Sequence, residues 1–254
     1  MKQAIDLNAD LGEGDGTSRL AGDIELLSLV SSANIACGYH AGDATSIRET
    51  VKAALERGVV VGAHPSYDDR AGFGRRDVEV SAAKLRGDIA RQVEILSAAC
   101  AAAGGRLRYV KPHGALYNRA TRDRKTADVI AESVRSVDPS LVLLGLAGNA
   151  MLDAGRAAGL AVAAEAFADR GYLDDGTLVP RNEPGALLDD TNAISVRAVR
   201  LVRDLRLLSR DGRDLAIEAD SLCTHGDGPN ALAILKSLRA GLEAAGITVK
   251  PFVI

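Results

Sequence analysis

The sequence predicts one α/β domain in which parallel strands alternate with helices, closed as a (β/α) barrel that is complete or lacks one unit. Three observations carry this. About eight short apolar segments are separated, almost every time, by a stretch with a helical stripe. The 254-residue length suits a single barrel domain over 1–254. No linker or low-complexity segment breaks the alternation.

The opening strand is Ile5 to Leu11. Period-two alternation puts Asp6, Asn8 and Asp10 on one face and Ile5, Leu7, Ala9 and Leu11 on the other. Clustered acids on a strand face mark a site more often than a solvated edge. Gly12, Gly14 and Gly16 let the backbone turn just beyond them, which makes the strand end the floor of a cleft. Leu20 to Val30 carries a helical stripe (Leu20, Ile24, Leu27), and Ser32 to Cys37 reads as a strand. Thr45 or Ser46 caps the next helix, with Ser46 and Glu49 at capping-box spacing, until Gly58 stops it. A buried strand, Val59 to Ala63, and a polar loop from Pro65 to about Val80 follow. Ser81 opens a long helix striped by Leu85, Ile89, Val93, Leu96 and Cys100 and ended by Gly104 and Gly105. Arg108 to Lys111 is the next strand. The alternation continues with a helix Lys125 to Val137, a strand Leu141 to Leu146, a helix Ala150 to Ala158 and a strand Ala161 to Ala166. Gly171 to Arg181 departs from it and reads as a small hairpin laid over a sheet edge or a site. A helix Thr191 to Ser209, a strand around Leu215 to Thr224, a helix Pro229 to Ala245 and a strand Thr248 to Val253 complete the chain.

Composition narrows the function. A net charge of −3 with no basic block argues against nucleic acid and anionic membrane surfaces, leaving small molecules or proteins as partners. The odd set Cys37, Cys100 and Cys223, irregularly spaced, fits a reduced protein. Asp6 breaks any apolar signal region at once and no apolar run reaches membrane-spanning length, so a cytoplasmic location is expected.

The histidines are more telling. His40, His64, His113 and His225 are all the histidines of the chain, and each lies just past a strand beside Gly or Pro. In a parallel α/β fold those positions share the rim at the strand carboxyl ends, where active sites are built. Asp6, Asp10, Glu13, Asp43, Glu165, Asp169 and Asp227 join them, with Lys111 two residues before His113 on the same side of an extended backbone. Such a cluster either holds a divalent metal or performs metal-free acid–base chemistry. There is no HExxH or other local metal signature, so both readings stand at this point. Arg75, Arg76, Arg170 and Arg181 fall in the rim loops, and the glycine-rich start of the last helix suits an anion. A P-loop, a dinucleotide GxGxxG and a GxSxG elbow are all missing, and Cys37 in an apolar strand reads as packing.

These blocks together resemble the family of the 5-oxoprolinase A subunit, also called the LamB/YcsF family. The resemblance is carried by Asp6-Leu-Asn-Ala-Asp-Leu-Gly-Glu13, Asn34-Ile-Ala-Cys-Gly-Tyr-His-Ala-Gly-Asp43, Gly62-Ala-His-Pro-Ser-Tyr67, Gly72-Phe-Gly-Arg-Arg76, Val110-Lys-Pro-His-Gly-Ala-Leu-Tyr-Asn118, Glu165-Ala-Phe-Ala-Asp-Arg-Gly-Tyr172, Leu178-Val-Pro-Arg181 and His225-Gly-Asp227. Ser66 departs from the glycine expected there. The resemblance implies a distorted seven-stranded TIM-like (β/α) barrel of the glycoside hydrolase and deacetylase type. It also implies one component of an ATP-dependent 5-oxoprolinase, which opens 5-oxo-L-proline to L-glutamate while ATP becomes ADP and phosphate, together with subunits B and C. On that reading Asp10, Glu13, His40, His64, Lys111 and His113 are catalytic. Asp6, Asn8, Asn34, Asp43, Glu165, Asp169, Arg170, Arg181, His225 and Asp227 then bind substrate. ATP with Mg2+ is the implied cofactor, a resident transition metal is not expected, and homo-oligomerisation is left open. Two rivals stand beside it: a metal-dependent deacetylase or amidohydrolase on the same rim, and a non-catalytic component that presents substrate.

Overall fold

The computed structural model of the chain describes residues 2–224 and 230–253. In chain order the elements are β1 (Ala4–Leu11), α1 (Leu20–Leu27), β2 (Ser32–Ala36), α2 (Ala44–Glu56), β3 (Val60–His64), α3 (Ala82–Ala102), β4 (Tyr109–Val110), α4 (Gly114–Ala120), α5 (Arg124–Val137), β5 (Val142–Leu146), α6 (Ala150–Ala157), β6 (Ala161–Phe167), α7 (Thr191–Asp204), β7 (Arg206–Leu208), β8 (Asp214–Ala216), β9 (Ser221–Thr224), α8 (Ala231–Ala244) and β10 (Thr248–Val249). Strands β1 to β6 and β9 pair in parallel, in sequence order, and β9 pairs back onto β1. The result is a closed seven-stranded barrel, the TIM-like fold lacking one unit, with the helices outside. Among the described residues no helix is long and apolar enough to cross a membrane.

The two faces of β1 take opposite roles. Leu7 and Ala9 are fully buried in the apolar layer under the helices, with Ile5 and Leu11 nearly so. Asp6, Asn8 and Asp10 point inward, and the neighbouring inward positions are Ser32 and Asn34 on β2, Tyr109 on β4, Glu165 on β6, and Ser221 and Cys223 on β9. The apolar part of the interior is confined to the amino-terminal end, where Tyr109, Val142, Leu144 and Ala163 pack together with Phe252 and Val253. The Phe252 ring meets the Tyr109 ring edge-on at 5.1 Å and stops that end of the barrel. Above this stopper the interior is mostly polar, and the carboxyl-end mouth leads into it.

Several boundaries differ from the sequence reading, each for a local reason. Helix α2 starts at Ala44 because Asp43, not Thr45 or Ser46, is its cap: Asp43 Oδ1 accepts from Thr45 N at 2.9 Å and Ser46 N at 2.8 Å, while Asp43 N donates to Ser46 Oγ. Helix α4, seven residues long with His113 at its N-cap, was hidden because it is too short to repeat a stripe. The expected helix to Ser209 stops at Asp204, where Leu205 turns left-handed and feeds the antiparallel β7–β8 hairpin. The single strand expected over Leu215 to Thr224 is therefore two, β8 outside the barrel and β9 within it. At the end of the chain only Thr248–Val249 pair, beside Ala4 and Ile5, and the residues after them run under the barrel.

Gly62 on β3 leaves no room for a side chain inside the barrel. A Cβ there would lie 2.2 Å from the Tyr109 ring, whose hydroxyl donates to Asn34 Oδ1 at 2.7 Å. Gly62→Ala is therefore expected to lower stability by about 1–3 kcal/mol through overpacking. Urea unfolding measures this, and an unchanged midpoint would show that the ring is free to move.

Candidate active site

The interior side chains form one hydrogen-bonded column from the stopper to the mouth. At its base Asp6 accepts from Ser31 Oγ and Ser32 Oγ, both at 2.6 Å, and from Ser221 Oγ. Above it Asn8 Nδ2 donates to Ser221 Oγ at 2.6 Å, and Asn34 Nδ2 donates to Asn8 Oδ1 at 2.6 Å and Asp10 Oδ1 at 2.8 Å. Lys111 stands at the top of the column. Its Nζ lies 3.1 Å from Asp10 Oδ1, 2.9 Å from Cys223 Sγ and 3.3 Å from Glu165 Oε2, with the Phe167 ring 5.1 Å away. Burial alone pulls an amine down, but the Asp10 and Glu165 carboxylates overcome it and hold Lys111 protonated, well above its ordinary range. Burial pushes the Cys223 thiol far up, so it sits here as a neutral partner.

Three histidines roof this column. His64, the last residue of β3, places Nε2 3.4 Å from Asp10 Oδ1 and 3.0 Å from His113 Nδ1. His40, from the loop after β2, stacks on His113 with centroids 3.8 Å apart and planes 5° from parallel, and its Nε2 lies 3.3 Å from Glu13 Oε1. Burial, with neighbouring imidazoles second, lowers both His40 and His113 well below the ordinary histidine value, so both are neutral bases at pH 7. The loop after β3 holds this stack. Phe73, left-handed at φ 54°, presents its carbonyl 2.9 Å from His113 Nε2. Gly74 must be glycine, since a Cβ would come within 2.8 Å of His40 and 2.9 Å of His113. Ser66, the departure noted in the sequence, places Oγ 2.9 Å from His40 Nδ1 and donates to the Tyr67 carbonyl at 2.8 Å.

Outside the roof a throat of about 30 Å³, lined by Asp10, His64, Lys111, His113 and Tyr117, opens past Arg75, Arg170 and Arg181 into a cleft of about 850 Å³. The throat admits one water-sized group, not a ring. Arg170 is braced by the carbonyls of Val179 (2.6 Å) and Ala186 (2.8 Å), and burial, then Arg181, pulls its pKa down to about 10.

Asp10, Glu13, His40, His64, Lys111 and His113 thus meet at one mouth, with Glu165 beside Lys111 and Asn8 and Asn34 directly beneath. Arg170 and Arg181 line the lip, and Asp169 is buried behind it within electrostatic reach of Arg170 and Arg197. Asp6 lies at the far end of the barrel and Asp43 is a helix cap that also accepts from Gly16 N at 2.8 Å; neither lines the cleft or its throat. His225 and Asp227 fall outside the described residues. Tyr109 and Cys223 went unread, although Tyr109 shares the face of Lys111 two residues away, which period-two alternation would have shown.

Fold and site define a closed α/β barrel whose polar mouth gathers histidines, carboxylates and a buried lysine, the equipment of a hydrolytic enzyme. Residues 5–253 match the LamB/YcsF family, and the chain belongs to that family. It is 53% identical over 249 residues to the 5-oxoprolinase A subunit numbered 1 of Agrobacterium fabrum and 47% identical over 250 residues to the 5-oxoprolinase A subunit numbered 3 of Pseudomonas syringae pv. tomato, covering 98% of both chains each time. The crystal structure of a lactam utilization protein from Thermus thermophilus superposes with a TM-score of 0.92 at 44% identity, over 98% of this chain and 99% of that one.

Burial, opposed by the three serine hydroxyls, raises the Asp6 carboxyl from 3.8 to about 6. An acid raised in the folded state binds its proton more tightly there than when unfolded. Its contribution is fully present below about pH 4 and is lost as pH climbs through about 6, a loss of roughly 3 kcal/mol. Asp6→Asn should remove that part of the pH dependence. Urea midpoints of both proteins from pH 4 to 7 measure it, and parallel curves would show that Asp6 ionises normally.

Proposed function

We propose that this chain is the A subunit of an ATP-dependent 5-oxoprolinase, the component in whose mouth the lactam of 5-oxo-L-proline is opened to L-glutamate. The observation that carries the reading is a single throat combining imidazoles, a buried ammonium and a cationic lip, in a chain whose near-full-length relatives are named as 5-oxoprolinase A subunits. A lactam is a stable amide with a carboxylate attached, and the throat is too narrow for its ring. The ring therefore rests in the cleft, its carboxylate against Arg75, Arg170 and Arg181, with the reacting oxygen projecting inward.

Transfer of the terminal phosphoryl group of ATP to the lactam oxygen makes the ring carbon electrophilic. One water then adds to that carbon, the C–N bond breaks with nitrogen taking a proton to become the amine of glutamate, and a second water releases phosphate. His40, whose Nε2 lies 3.3 Å from Glu13 Oε1, accepts the proton of the attacking water and returns it to the departing nitrogen. Lys111 stabilises the negative oxygen that forms beside it. The chain contains no P-loop, so phosphoryl transfer is assigned to the partner subunits B and C.

Mixing the three subunits with 5-oxoproline and ATP, and omitting each in turn, tests this reading through glutamate and phosphate release. Glutamate should depend on this chain, and Arg181→Gln should raise KM for 5-oxoproline about tenfold or more with a much smaller change in kcat. Glutamate formed at the full rate without this chain would overturn the assignment.

A further inference from the structure

The tautomers of the three roof histidines follow from their outer partners. His64 Nδ1 lies 2.7 Å from the carbonyl oxygen of Lys111, and His113 Nε2 lies 2.9 Å from that of Phe73. A carbonyl only accepts, so both of these nitrogens carry protons. Ser66 commits its hydroxyl proton to the Tyr67 carbonyl, so His40 Nδ1 is also the donor in its contact with Ser66 Oγ. An outward N–H leaves the inner nitrogen of each ring, His40 Nε2, His64 Nε2 or His113 Nδ1, as the one able to offer a lone pair.

These lone pairs face acceptors. His64 Nε2 is 3.0 Å from His113 Nδ1 and 3.4 Å from Asp10 Oδ1, and Glu13 Oε1 is 3.3 Å from His40 Nε2 and 3.8 Å from His113 Nδ1. Electron pairs held this close repel unless an electron-poor centre lies between them. We propose that Asp10, His64 and His113 bind one divalent first-row transition-metal ion of the zinc type, with Glu13 and His40 at its outer side. Where ligand atoms stand about 2.0–2.1 Å from an ion at angles between square and tetrahedral, they lie about 3.0–3.4 Å from each other. Those are the two separations seen around His64 Nε2.

Two further features fit. Metal-bound histidines characteristically donate their other N–H to a carbonyl or carboxylate, and His64 and His113 both do so to backbone carbonyls. The carboxylates of Asp10 and Glu13 stand against the inner nitrogens of His64 and His40, the mixed oxygen and nitrogen donor set that a divalent cation takes. Two nitrogens and one carboxylate oxygen suit zinc, cobalt or manganese better than magnesium or calcium. The ion would supply a Lewis acid at the inner end of the throat.

This site holds whichever amide is opened, and its test needs no turnover. Chelator-stripped protein titrated with Co2+ should bind about one equivalent per chain with visible d–d bands, and Zn2+ should displace it and raise Tm. His64→Asn and His113→Asn, each checked for a native circular dichroism spectrum, should weaken binding by about 100-fold or more. Should a variant fail to fold, a crystal of the wild type soaked in Zn2+ should give an anomalous peak within bonding distance of Asp10, His64 and His113. Folded wild type that binds neither ion at 100 µM, or binding and a peak located elsewhere, would overturn the proposal. Loss of the lactam reading with metal binding intact would leave it standing.

Discussion

The ammonium of Lys111 is the constraint on which the barrel interior depends. A TIM-like barrel ordinarily fills its centre with branched apolar side chains. Here the inward positions of β1, β2, β4, β6 and β9 carry acids, amides, hydroxyls and a thiol instead. A charge taken out of water survives only if it is paired and hydrogen-bonded. Lys111 meets that condition by drawing Asp10, Glu165 and Cys223 to one point, each from a different strand. Asp10 then fixes Asn34 below and His64 above, so the order of the roof descends from the charge beneath it.

This arrangement divides the molecule by height. The base of the column is sealed by Phe252 and held by serine hydroxyls around Asp6, while the lip presents cations to the outside. The arginines there differ in place: Arg119 at the cleft wall is shared among Asp77, Glu79 and Asp123, and Arg75, Arg170 and Arg181 line the throat as well as the cleft. Cationic side chains are therefore gathered at the narrowest point, next to the histidines and Lys111.

Much of this was legible in the residues. The alternation Asp6, Asn8, Asp10 against Ile5, Leu7, Ala9 determines which face of β1 points inward, and a histidine at or just past the end of each of β2, β3 and β4 marks the rim. What escaped was of two kinds. Helix α4 and the β7–β8 hairpin are too short for periodicity to register, and the left-handed Leu205 that separates α7 from β7 has no signature in a leucine. The anchors of the histidines escaped for another reason: two of the three are main-chain carbonyls, of Lys111 and Phe73, and a main-chain group is the same in every sequence.

The Phe73 carbonyl gives the loop after β3 a chemical role as well as a structural one. It is the partner that decides which nitrogen of His113 is protonated. If that carbonyl withdraws, the ring is free to interconvert its two neutral forms and the lone pair no longer has a fixed address. Loop position and the tautomer of His113 are thus one variable, and anything that grips the 70–76 segment acquires a mechanical handle on where that ring directs its lone pair.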